Sequence, residues 1–412
     1  TLEYGIDSEV LAVLEELESE KNERYNEKLL DIFTSTKNTG LRTKIVEFFT
    51  RLESEELAGD AESMLEEKWE ELDTGLAVSL VKYLEDYQDA ETSDLFLDMT
   101  DSPRSPVAAA AIRALGSAEK DPYAANLRDM YEEAENDRER KSAILEALGK
   151  IRAEETVPLL SDIVLDEDEE RGLRWKACTA LGAIGNDEAL ETIMEVFTTD
   201  DPRLRQYAVQ ALGNYPEDEE VTDALIEALR DNSWRVRVQA AKSLGEIGAK
   251  EAVDILEYKA RYDPDTHNVG TAAVRALGKI GKGGAFDYLR ELYTDPSVSM
   301  EIRGVSIDVL VEYDLGNTIE TIKEIMDTHW NKNNSRLLDY TCQQLSMAEH
   351  RALKPLFERM LTHPDNINII AYGLRGIRLN EFGGLREEVE KLTGDSVHRS
   401  IRSLALSVLE EL

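Results

Sequence analysis

The sequence predicts an all-α protein, a right-handed superhelix of about twelve stacked helix pairs, in which residues 1–412 form one solenoid. Three observations predict it. Leu-Gly recurs at Leu115-Gly116, Leu148-Gly149, Leu181-Gly182, Leu212-Gly213, Leu244-Gly245 and Leu277-Gly278, in steps of 33, 33, 31, 32 and 33 residues. A period of that length fits two short helices and their turns. The residues before each of Leu115, Leu181, Leu212, Leu244 and Leu277, and of Leu310, Leu345 and Leu409 further on, fall into columns. Eight before it stand Val107, Leu173, Leu204, Val236, Val269, Ile302, Leu337 and Ile401; four before it, Ala111, Ala177, Ala208, Ala240, Ala273, Ser306, Thr341 and Ala405. Offsets of eight, four, three and zero share one face of a helix, and the small residue lets a neighbouring helix approach. Finally, no segment alternates apolar and polar residues as a strand does.

The elements follow in order. Residues 1–100 keep helical periodicity in EVLAVLEEL, EKLLDIF and TKIVEFFTRL without the Ala-Leu-Gly pattern, so they read as divergent repeats. Residues 101–316 are the regular part. There each columned helix is followed by a turn and a second amphipathic run, such as IGNDEALETIMEVF or IGAKEAVDILEYKARY. Gly185, Gly248 and Gly281 stand where the first helix must stop, because glycine takes the left-handed conformation without steric cost. Residues 317–412 continue the register through Leu345 and Leu409 as divergent repeats and a cap. Cys178 and Cys342 share one core column and read as small buried hydrophobes.

An Arg stands seven before the column Leu in several units, at Arg174, Arg205, Arg237, Arg303 and Arg402, with Arg42 before Phe49; Asp168 and Asp231 precede Arg174 and Arg237 by six. With these residues the chain resembles the HEAT-repeat family, specifically its phycobilisome-lyase-type HEAT-like subgroup. DNSWRVRVQAAKSLGEIGAKEAVDIL, Asp231 to Leu256, carries the family's Asp, Val-Arg, Ala-Ala, Leu-Gly-Ile-Gly and Glu-Ala positions. The resemblance implies a structural ladder between adjacent units made by Asp168, Arg174, Asp231 and Arg237. It is interrupted at Ala108, Lys141 and Gly270, where no Arg stands.

Charge excludes some partners. The chain carries 85 acidic against 47 basic residues, net −38. Duplex nucleic acid is disfavoured, because phosphate binding needs Lys and Arg to release counterions. The net charge is −27 over residues 1–170, −11 over 171–330 and 0 over 331–412, an acidic N-terminal surface that is compatible with a basic partner, with solubility or with adaptation to high salt. No apolar run is long enough to insert in a membrane. The chain opens on TLEYGIDSEV with neither Met nor a signal pattern, which fits a cytoplasmic or an exported and processed protein alike.

Catalytic and metal motifs are not evident. His267, His329, His350, His363 and His398 lie in different units, without the repeated His-Glu motifs on which the similarly folded deoxyhypusine hydroxylases depend, so no metal or cofactor is expected. DEDEE (166–170) and DPDTHN (263–268) lack the Gly or closing Glu of a calcium loop and read as acidic helix starts. GKIGKGGA (278–285) lacks the Ser or Thr of a P-loop and reads as a turn.

What remains is the face opposite the core columns, at offsets nine, five and two. It holds Arg203, Tyr207 and Gln210; Arg235, Gln239 and Lys242; Asn268 and Arg275; and Arg336, Tyr340 and Gln343. In an acidic chain this stripe is basic, amide-rich and aromatic. It predicts a concave surface for an extended acidic or polar segment of another protein, held by charge-assisted bonds from Arg and flat contacts from Tyr. The expected function is a non-enzymatic scaffold; the alternative is a bilin-lyase-like or other cofactor-handling protein on the same fold.

Overall fold

The computed structural model describes residues 25–118, 123–134, 136–282, 284–332 and 335–412, with Val10 and Leu14. Helix starts are set by local chemistry. The side chains of Asn38, Asp73, Asp89, Asp137, Asn186, Asp218, Ser299, Ser335 and Asn366 each accept a backbone N–H of the first turn that follows. DPDTHN is such a start too: Asp265 caps the amide of Asn268 at the head of a short π turn, Thr266–Gly270.

The chain packs as two units, Thr1–Ala211 and Leu212–Leu412. The first contains α1 (Asn26–Ser35), α2 (Thr39–Leu52), α3 (Ala58–Lys68), α4 (Thr74–Leu84), α5 (Ala90–Met99), α6 (Ser105–Leu115), α7 (Ala124–Glu133), α8 (Arg138–Ile151), α9 (Val157–Leu165), α10 (Arg171–Ile184) and α11 (Asp187–Phe197). Helix α12 (Pro202–Leu212) ends at the boundary. The second contains α13 (Glu219–Ala228), α14 (Trp234–Ile247), α15 (Val253–Tyr262), α16 (Thr271–Ile280), α17 (Ala285–Thr294), α18 (Met300–Tyr313), α19 (Leu315–His329), α20 (Arg336–Leu345), α21 (Lys354–Met360), α22 (Ile367–Leu379), α23 (Arg386–Glu390) and α24 (Arg399–Glu411).

The columned helices are the even-numbered ones, and within each unit they stack directly on one another. In the first unit α2, α4, α6, α8 and α10 make one layer, and in the second α14, α16, α18, α20, α22 and α24 make another. Odd-numbered helices pack against their even neighbours, so each pair buries its apolar faces between two layers. Every described residue of the offset-eight and offset-four columns is buried. Cys178 and Cys342 are buried as the column requires, and burial pushes both thiols up to about 12. Leu406, three before Leu409, departs from this pattern: it is 49% exposed.

Two kinds of glycine divide the work. Gly185 and Gly248 end α10 and α14 in the left-handed region, with φ of 74° and 69°. The glycine after the column Leu does something else. A Cβ on Gly245 would lie 2.8 Å from the Ala276 Cα, and one on Gly116 2.6 Å from the Ala147 Cα. At Gly116, Gly149 and Gly245 the Leu-Gly pair therefore brings an even helix against the Ala just before the next column Leu, closer than a side chain allows.

The arginines seven before the column Leu also take a role that the sequence assigns differently. Arg42, Arg174 and Arg303 reach back to carbonyls that the preceding odd helix leaves free at its C-terminus, and Arg205 to the turn after it. Arg42 Nε donates to Phe33 O at 2.9 Å, Arg174 Nε to Val164 O at 3.0 Å, Arg205 Nη1 to Thr199 O at 2.8 Å and Arg303 Nε to Tyr293 O at 2.9 Å. Arg237 Nη1 likewise donates to the backbone carbonyl of Asp231 at 2.9 Å, while its other nitrogens hold Asp263 of the next turn at 3.0 and 2.8 Å. The carboxylate of Asp231 caps the Ser233 amide at 2.7 Å, and Asp168 is exposed at the turn before Arg174. The link between adjacent units runs from Arg237 to Asp263, with one nitrogen of the guanidinium held by its own turn and the other two pointing along the stack.

Candidate interaction face

The even helices turn their offset-nine, -five and -two positions away from the buried columns, and the side chains there fall into separate groups. In the first unit, Arg113 of α6, Glu146 of α8 and Lys176 of α10 form a ladder across three helices. Arg113 Nε lies 2.6 Å from Glu146 Oε2, and Lys176 bonds the other carboxylate oxygen. Burial would raise the Glu146 pKa, yet the bonds from Lys176 and Arg113 hold it below the usual range. These two cations are spent on a carboxylate of the protein itself.

Further along the first unit the face is aromatic. The Trp175 and Tyr207 rings stack with centroids 5.7 Å apart and planes 20° from parallel, and the Arg203 guanidinium sits 5.7 Å from the Trp175 centroid. Arg203 Nη1 donates to Gln206 Oε1 at 3.0 Å. Gln210 is exposed on the same helix. The predicted Arg203 and Tyr207 thus come together, through a Trp175 that the offset rule misses because it stands six before its column Leu.

In the second unit, Arg235 is exposed with its guanidinium 4.4 Å from the Trp234 centroid. Lys242 and Arg275 are exposed, whereas Gln239 is half-buried and donates to Ser243 Oγ at 3.4 Å. Tyr340 reaches back across Gly304 of α18 to donate to Asp308 Oδ2 at 2.8 Å. Asp308 is the offset-two residue of α18, absent from the predicted stripe. Burial raises its pKa against the opposing pull of Tyr340 and the Arg275 charge, and its Oδ1 is buried without a partner. Burial and the Asp308 contact push the Tyr340 hydroxyl up to about 12. Helix α18 therefore sets an acid between Arg275 and Tyr340, and the stripe of the second unit is not uniformly basic.

Arg203, Arg235 and Arg336 are the predicted arginines that remain exposed with no carboxylate partner among the described residues. Gln343 is exposed on the same helix as Arg336. Arg336 also lines a cleft of about 490 Å³ between the α19–α20 and α21–α22 turns. A second cleft, about 690 Å³, occupies the matching place between the α3–α4 and α5–α6 turns of the first unit. Its acids are Glu70, Asp98 and Asp101, and its Arg104 is tied to the Leu72 and Trp69 carbonyls at 2.6 and 2.7 Å.

Elsewhere, His267 Nδ1 meets Glu301 in an exposed pair that their separation in sequence conceals. Among the described residues no group of three or more His, Cys, Asp or Glu is placed to hold a metal ion, and no helix is long and apolar enough to cross a membrane.

Solved structures of similar fold are distant in sequence. Kap121p matches with 13% identity over 96% of this chain and 49% of its own, at a TM-score of 0.47. Kap121p bound to Pho4p matches at 14% identity, over the same shares and at the same score. The complex of CpcE and CpcF of phycocyanin lyase from Nostoc sp. PCC7120 matches at 16% identity over 61% of this chain and 94% of that one, at 0.38. The chain spans about half the length of the Kap121p chains it matches. No curated protein matches it. The family model described as Spirochaete HEAT repeat protein matches residues 2–408. With its alternating helices, its Leu-Gly seam and that match over nearly its whole length, the chain belongs to the Spirochaete HEAT repeat protein family.

Proposed function

We propose that the protein is a non-enzymatic scaffold that binds an extended acidic or polar segment of another protein on the outward face of its even-numbered helices. The observation that carries this reading is the state of three arginines. In a chain with 85 acidic residues, Arg203, Arg235 and Arg336 stay exposed and unpaired with carboxylates, two of them laid over tryptophan rings. A guanidinium over an aromatic ring can still turn N–H groups to an incoming carboxylate, although Arg203 Nη1 is already given to Gln206 Oε1. Tyr207 and Gln210 stand with Arg203 in the first unit, and Gln239, Lys242, Arg275, Tyr340 and Gln343 belong with Arg235 and Arg336 to the second, where Gln239 and Tyr340 are already committed to bonds within the protein.

The phycobilisome-lyase-type grammar of Asp231 to Leu256 belongs to this reading as a description of the repeat and not of a reaction. The two clefts have polar, charged rims, which favours a peptide over a bulky apolar chromophore. Capture from native cell extract by wild-type protein and by the Arg203→Ala, Arg235→Ala, Arg336→Ala triple variant tests the proposal. A protein held by the wild type alone supports it; equal recovery by both overturns it. An absorbance band from a bound chromophore on the purified protein would favour the lyase-like alternative instead.

A further inference from the structure

The cleft between the α19–α20 and α21–α22 turns has a composition that selects its occupant. Its lining is mainly polar, with one exposed aliphatic side chain: Ile367 on the rim is 44% exposed, while Leu338 and Ile369 are buried beneath. One wall carries Lys332 and Arg336, both exposed and without a carboxylate partner among the described residues. The acid on that side, Asp339, accepts from Asn366 Nδ2 at 3.3 Å, which links the two walls. The opposite wall carries Asn368 and Asp365, both exposed.

The back of the cleft is fixed. Trp330 has His363 against its ring, centroids 4.7 Å apart, and the Arg359 guanidinium 4.4 Å from its centroid. The His363 Nδ1 accepts the amides of Asp365 and Asn366 at 3.3 and 3.1 Å. This ties the α21–α22 turn to the indole. The site is thus a preformed slot with an aliphatic rim at Ile367, two free cations on one wall, and side-chain amides with a single anion on the other.

We propose that this cleft is an anchoring subsite for a short extended peptide segment in which an acidic residue adjoins an aliphatic one. The aliphatic side chain packs on the exposed Ile367. The carboxylate pairs with Lys332 and Arg336 and is kept to that wall by the Asp365 charge opposite. The Asn368 amide is free to bond the peptide backbone. A volume of about 490 Å³ lies within the range of sites that hold a small ligand. The cleft in the matching place of the first unit supplies the contrast, since its only cation, Arg104, is spent on backbone carbonyls and its rim is acidic. The two clefts therefore choose opposite charges.

This inference deepens the scaffold reading, on which it rests for the nature of the ligand, but it is tested separately. The full chain is labelled with 5-fluorotryptophan, Trp330→Phe identifies the Trp330 resonance, and acetyl-Gly-Glu-Leu-Gly-amide is titrated in. The expected result is a saturable shift of the Trp330 signal with the signals of Trp69, Trp175 and Trp234 unmoved. The affinity falls tenfold or more, about 1.4 kcal/mol, in the Lys332→Ala, Arg336→Ala double variant. The peptide with Lys in place of Glu leaves Trp330 unmoved.

No shift at about 10 mM peptide overturns the proposal. So does an equal response to the lysine peptide. So does an equal response to inorganic phosphate, which would make the slot a simple anion site. The lysine and phosphate controls use the wild type and do not depend on any variant folding. A Trp330 response together with failed capture by the outward face would reject the scaffold reading alone. Successful capture with a silent Trp330 would reject the subsite alone.

Discussion

Arg237 grips Asp263 with two nitrogens, at 3.0 and 2.8 Å, across the step from one repeat to the next, while its third nitrogen holds the carbonyl of Asp231 at 2.9 Å. The Asp263 side chain is fully buried, and Lys259 adds a third bond to it at 3.0 Å. One guanidinium thus closes the turn before α14 and fastens the following unit. Removing it leaves a buried carboxylate with Lys259 as its main partner. Arg237→Ala is expected to cost about 3 kcal/mol, since breaking a buried pair from one side is costly, and Arg237→Lys less. Denaturant titration of the two variants checks the order.

The same pair sets a pH dependence. Burial alone would raise the Asp263 pKa, but bonds from Arg237, the Asp265 amide and Lys259 hold it below the ordinary carboxylate value. A carboxyl whose folded pKa is depressed stabilises fully above its unfolded pKa, about 3.9, and that contribution is lost as pH falls through the folded value. Thermal melts between pH 7 and pH 2 should show this loss at the acid end, and Asp263→Asn should flatten it while lowering stability at pH 7.

Asp308 is expected to behave with the opposite sign. Its folded pKa is raised by burial, so the charged form costs stability at neutral pH and the cost is relieved as pH falls through the folded value. Asp308→Asn should therefore raise the melting temperature at pH 7, with the difference disappearing below about pH 4, where the wild-type carboxyl is neutral in both states. Melts of both proteins at the two pH values decide it.

The Leu-Gly seam predicts an asymmetry between two glycines. Gly245→Ala places a methyl against the Ala276 backbone, which cannot rotate away, so a loss of about 1 to 3 kcal/mol is expected although alanine is the better helix former. In Gly278→Ala the clash is with Val309 Cγ1, and Val309→Ala should restore most of the lost stability. Leu244→Ala, in the buried column beside Gly245, should cost about 2 to 5 kcal/mol. Chemical denaturation of the single and paired variants separates backbone from side-chain conflict.

Much of this architecture is legible in the sequence because a solenoid repeats one local solution. The columns around Leu244 recur, and wherever a residue must face a core of invariant spacing, its position in the period names its burial. The terminators Gly185 and Gly248 are legible for the same reason. What escapes the period is what depends on the neighbouring unit. Gly245 reads as part of a helix end until the next helix is seen at van der Waals distance. Arg237 finds its carboxylate 26 residues onward and not six residues back. Trp175, Trp234 and Asp308 reshape the face from positions that a strict outward offset leaves out or that carry the wrong charge for a basic stripe. The cleft at Trp330 is assembled from two turns, and turns have no period to read.

The central claim is that Arg203, Arg235 and Arg336 hold a protein partner while contributing little to the fold. The measurement that tests it most directly is the affinity of the captured partner for wild-type protein and for the triple Ala variant at low and physiological salt, with melting curves of both. The account predicts unchanged melting, at least a tenfold weaker complex in the variant and a smaller salt dependence, because the lost bonds are charge-assisted and screened by ions. Equal affinity and equal salt dependence, with both proteins folded, would contradict it.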